Sequence, residues 1–154
     1  MNSRIYKLKF KDSLFDLNED YNRLSDHEKE IISDLDCESF FDYDDFIDRY
    51  VCYIIAKPTE VNRYSQILIK NLIIHDVTDL SDDILKFRIN LEEELKPLLS
   101  TVNSIKYSFF MDDINDWIID NLDIDVVLDR ISYLGNIKKL TKIEKEFLKN
   151  FKLP

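Results

Sequence analysis

A chain of 154 residues with 45% hydrophobic content buries about two-thirds of its unfolded surface on folding and needs neither disulfide nor metal to do so. Its net charge of −10 argues against direct DNA or RNA binding, and its single glycine excludes phosphate-cradling loops, which need several glycines at fixed offsets. Leu, Ile, Val and Phe are abundant, so the charge does not imply disorder, and one compact domain spanning 1–154 is expected.

Residues 4–10, RIYKLKF, alternate Tyr6, Leu8 and Phe10 with Ile5, Lys7 and Lys9, the period of a half-buried strand. At 24–35, LSDHEKEIISDL, Ser25 stands three residues before Glu28, a capping box that predicts a helix start. The stretch from Glu38 to Tyr50, ESFFDYDDFIDRY, packs aromatic rings among carboxylates. Placed on a helix from about Phe40 to Ala56, it gathers Phe40, Tyr43, Phe46, Ile47, Tyr50, Val51 and Ile54 on a core face. The opposite side then carries Asp42, Asp44, Asp45 and Asp48, with Arg49 four residues beyond Asp45 and Phe41 among the acids.

Pro58 and Thr59 open a further helix whose inner stripe is Val61, Tyr64, Leu68 and Leu72. The segment 83–99 fits both a strand alternation and a helical seam; LSDD before it and EEELK within it favour a helix that Pro97 ends or bends. Residues 104–111, SIKYSFFM, alternate Ile105, Tyr107, Phe109 and Met111 and predict a second strand. In 112–122, DDINDWIIDNL, helical spacing puts Ile114, Trp117, Ile118 and Leu122 inside and Asp112, Asp113, Asp116 and Asp120 outside. Asp112 and Asp113 suit a helix N-terminus, whereas Asp116 repels Asp112 and Asp120 at i, i+4. Ile124, Val127, Leu128 and Ile131 form another stripe, Gly135 ends that helix, and Thr141 with Glu144 forms a second capping box. The expected fold class is α+β: a mostly helical domain with a small antiparallel sheet, its strands near 4–10 and 104–111.

Charge is segregated along the chain. Residues 1–11 carry four bases and no acid, 12–50 fourteen acids against three bases, 111–131 seven acids against one base, and 132–154 a net of +4. A field of this kind attracts basic proteins and repels nucleic acid.

Chemistry-bearing patterns are scarce. A calcium loop starting at Asp42 would need glycine at its sixth position, which is Ile47. Asp123 and Asp125 form a DxD without a phosphate clamp, and His27 and His75 have no nucleophile at motif spacing. Cys37 and Cys52 sit in neither metal nor redox spacing and fit small buried thiols. Neither catalysis nor a cofactor or metal is therefore expected, and an enzyme ranks third among the readings. The basic residues 1–11 lead into DSLFDLNEDYNR rather than an apolar run, and VCYIIA and ILIKNLII fall short of the roughly 18 residues a bilayer span requires. No membrane contact is expected, and the location is cytoplasmic.

What remains is binding. Carboxylates and rings on two acidic segments fit an immunity-type inhibitor that occludes a basic toxin, above all a nuclease whose cleft is built for phosphates. A phage-type inhibitor of a DNA-acting defence enzyme has the same profile, and no residue motif ties the chain to either kind. A helical adaptor or regulatory subunit docking its partner in an apolar groove is the alternative. The expected contact residues are Phe41, Asp42, Asp44, Asp45, Asp48, Asp112, Asp113, Asp116 and Asp120, with Phe41 as the hot spot.

Overall fold

The computed structural model describes residues 2–11, 21–34, 38–44, 49–87 and 104–151, with backbone alone at 38–44, 49–50, 75, 87 and 104–109. Four antiparallel strands form one sheet: β1 (Arg4–Phe10), β2 (Glu38–Asp44), β3 (Arg49–Ala56) and β4 (Ile74–Asp79), in the order β2-β3-β1-β4. Among the described residues six α-helices accompany them: α1 (Asp26–Ser33), α2 (Pro58–Lys70), α3 (Ser81–Phe87), α4 (Ser104–Asn121), α5 (Ile124–Leu134) and α6 (Lys142–Asn150). The architecture is the mostly helical α+β fold with a small antiparallel sheet that the hydrophobic pattern predicts.

β1 has the expected boundaries, and its alternation sorts side chains between two cores. Ile5 joins Val51, Tyr53 and Ile55 under α3 and α4, packed on Leu80, Ile84, Phe110, Ile114, Trp117 and Ile118. Tyr6, Leu8 and Phe10 join Cys52, Ile54 and Ala56 on the opposite face, under Val61 and Leu68 of α2. The sheet is thus the middle of three layers. Each of Val51 through Ala56 is buried because β3 is covered on both faces, and full burial of each large apolar side chain is worth about 1.5–3 kcal/mol.

Three expectations are corrected. The helix across 40–56 does not form; β2 and β3 take its place as an antiparallel pair. A fully covered strand needs no polar alternation, so VCYIIA is a continuous apolar run with β-branched and aromatic residues. The strand at 104–111 is instead the first part of α4, an 18-residue helix. Phe110 decides between the two periods: it stands four residues before Ile114 and is 3% exposed in the same core, whereas a strand alternation would have turned it outward. Leu72 does not continue the buried stripe of α2. It lies past the helix end with φ 60° and is 59% exposed. β4 had no counterpart in the sequence reading.

The local signals hold. Ser25 Oγ accepts the Glu28 N–H at 3.1 Å while Glu28 Oε1 accepts the Ser25 N–H at 3.0 Å. Thr141 and Glu144 repeat the motif at α6, and Gly135 ends α5 in the left-handed region at φ 74°. α3 begins at Ser81, so the helical reading near 83 holds as far as Phe87; the remainder to Pro97 and Leu99 lies outside the described residues.

Candidate interaction surface

α4 presents the second acidic segment. Its inner face buries Phe110, Ile114, Trp117 and Ile118, and Trp117 Nε1 donates to the Ser3 carbonyl at 2.8 Å, fixing the helix against the start of β1. With the core side so fixed, Asp112, Asp116 and Asp120 are exposed in one i, i+4 row, and Asp113 is half-buried at the margin. Because α4 starts at Ser104, Asp112 and Asp113 are in mid-helix rather than at an N-terminus, which corrects the capping role expected of them. No member of the row has an ion-pair partner among the described residues. Each like-charge pair at this spacing costs about 0.2–0.5 kcal/mol.

The first acidic segment lies nearby in space, since α4 packs against β2. Pairing with β3 sets position 41 opposite Cys52, 42 opposite Val51 and 44 opposite Arg49. In a strand, positions 42 and 44 share one parity and 41 has the other, so the helical ring of carboxylates around Phe41 is not built. The side chains of Phe41, Asp42 and Asp44, and the whole of Asp45 and Asp48, lie outside the described residues.

Sequence reasoning missed the surface beside the α4 row. Ile119, one turn beyond Asp116, is 54% exposed. It faces an open groove of about 440 Å³ between α4 and α6, lined by Ile119, Leu122, Ile143, Glu146, Phe147 and Phe151. Phe147 and Phe151 stack with ring centroids 5.9 Å apart. The only advance signal was Ile119 itself, an apolar residue on the carboxylate side of the α4 wheel.

Also missed was what lies under α6. Glu144 caps that helix through Oε1 to the Thr141 N–H at 3.0 Å, and its Oε2 accepts from Arg130 Nε at 3.1 Å. Arg130 is 4% exposed and Glu144 fully buried, and Arg130 Nη1 also donates to the Lys86 carbonyl at 3.3 Å. One ion pair therefore joins α5, α6 and the end of α3.

Asp123 and Asp125 belong to the start of α5. Asp123 Oδ1 accepts the Val126 N–H at 2.9 Å as the N-cap of α5, and Asp125 lies in that helix's first turn. His27 is exposed in α1, Cys52 is a buried free thiol, and Cys37 lies outside the described residues. Among the described residues there is no group of three or more His, Cys, Asp or Glu that could hold a metal ion, and no helix long and apolar enough to cross a membrane. No family model, no curated protein and no solved structure matches the chain.

Proposed function

We propose that this chain is a cytoplasmic immunity- or inhibitor-type protein that binds a cognate toxic effector, a nuclease with a basic active-site cleft, and neutralises it by stoichiometric occlusion. The observation that carries this reading is the exposed row of Asp112, Asp116 and Asp120 on α4, held without a cationic partner among the described residues. Successive members stand about 6 Å apart along the helix axis, a regular line of anionic charge of the kind a phosphate-binding cleft accepts. Keeping three like charges in a row costs stability, and an electrostatically steered encounter returns that cost as association rate. A phage-type inhibitor of a DNA-acting enzyme would use the same row against a different basic cleft.

Co-expression with the product of the neighbouring gene tests it. The expected result is a 1:1 complex whose toxicity is suppressed, with association slowing about tenfold or more between low and physiological salt. The triple variant Asp112→Asn, Asp116→Asn, Asp120→Asn loses most of that salt dependence. A complex indifferent to both salt and the triple variant, or one that leaves the effector active, sinks the reading.

The groove between α4 and α6 favours a second reading, a helical adaptor or regulatory subunit that docks its partner by apolar contact. Such docking would respond little to ionic strength, which separates the two.

A further inference from the structure

The acidic row and the apolar groove are two parts of one surface. Ile119 is a wall of the groove and also stands beside the exposed row, three residues after Asp116 and next to Asp120. The far wall is Ile143 and Phe147, about 6 Å apart along α6 at helical rise, continued by Phe151 just past the helix end, which gives it the length of an i, i+3/i+4, i+7 set of side chains on a facing helix. A groove between two helices accepts the ridge of a third.

Charge selects what that third helix carries. The near wall is bordered by Asp112, Asp116 and Asp120, and Glu146 stands on the α6 side. Lys142, Lys145 and Lys149 are exposed; helical spacing turns Lys145 and Lys149 away from Ile143 and Phe147, and Lys142 stands one turn before Glu146, outside the groove lining. Anionic side chains therefore border the groove on both sides. A second copy of this chain is disfavoured as occupant, because two molecules of net charge −10 repel.

We infer that the α4–α6 groove docks an amphipathic helix of another protein, one with Lys or Arg flanking its apolar stripe. This rests on the inhibitor reading for the identity of the partner and deepens it by naming the element the partner inserts.

Two synthetic peptides of about five turns test it, each with Leu at i, i+3/i+4 and i+7, one flanked by Lys and the other by Glu at the same positions. Fluorescence anisotropy against the full chain should show saturable 1:1 binding of the Lys peptide, about tenfold or more tighter than the Glu peptide at low salt. Ile119→Asp, at an exposed site, should leave the melting temperature within about 2 °C and weaken the Lys peptide by about tenfold or more. Asp116→Asn with Asp120→Asn should bring the two peptides within about threefold of each other. The inference is overturned by any of four results: no saturable binding of the Lys peptide, equal binding of both peptides, an Ile119→Asp variant that binds normally, or a homodimer that Ile119→Asp dissociates. An effector that is still neutralised by Ile119→Asp overturns the groove and spares the inhibitor reading. A peptide result as expected with no neutralised effector does the reverse.

Discussion

Two residues in the left-handed region end two helices, and they are opposite cases of one requirement. α2 closes in a Schellman arrangement, with the Ile73 N–H on the Leu68 carbonyl at 2.8 Å and the Leu72 N–H on the Ile69 carbonyl at 3.0 Å. The position that needs positive φ is held by Leu72, whose Cβ crowds its own backbone there, while Ile73 beyond it is buried against Leu68. α5 closes with the Gly135 N–H on the Ile131 carbonyl at 2.8 Å, and a Cβ at Gly135 would meet nothing within 4 Å. Backbone preference alone therefore separates the two sites. Leu72→Gly should stabilise the protein by about 0.5–1 kcal/mol and Gly135→Ala should destabilise it by about 1 kcal/mol, both read by urea unfolding. Equal signs for the two changes would show that Leu72 makes contacts that offset its strain.

At the scale of elements, the buried Arg130–Glu144 pair is the join most exposed to test. Arg130 stands three residues after Val127, within the inner stripe of α5, and meets a carboxylate already committed to capping α6. Removing one partner leaves the other charged and buried, so Arg130→Met should cost about 3–5 kcal/mol. Adding Glu144→Gln to it should recover part of that loss, and a urea series on the three proteins decides between a clamp and a dispensable pair. The same helices show what could be read in advance. Capping boxes, the glycine stop and β1 were legible because each depends on residues a few positions apart. β2 and β3 were not, because glycine poverty weighs only against tight two-residue hairpins, and four residues separate these strands. The row on α4 was legible as a face of a wheel, whereas the groove beside it exists only because α6, more than twenty residues later, packs next to Leu122.

For the whole molecule, acid sets two electrostatic effects against each other. At pH 7 the chain carries −10, and acidification toward its pI near 4.7 relieves that self-repulsion. Two carboxylates work the other way. The backbone N–H of Ser25, and then the Asn71 amide, hold Glu28 below the usual glutamate range, and Lys70 adds to this from 3.7 Å. Burial pushes the Asp79 carboxyl up, but Arg4 at 2.6 Å and the Ser81 N–H at 2.9 Å together outweigh it and leave Asp79 below the usual aspartate range. A depressed folded value means that the unfolded chain takes up the proton more readily. The stability from these groups is therefore in place above the ordinary carboxylate range and is lost as pH falls through the depressed values. Unfolding free energy should hold level or rise slightly from pH 7 to about 5, then fall steeply below about 4. Arg4 also reaches Asp82 at 3.2 Å, so Arg4 fastens the start of β1 to Asp79 at the end of β4 and to the first turn of α3. Asp79→Asn should accordingly lower stability at pH 7 and make the acid limb shallower than in the parent. If urea melts at several pH values show the two proteins losing stability in parallel below pH 4, the acid transition belongs to other carboxylates and the Arg4 fork does not govern it.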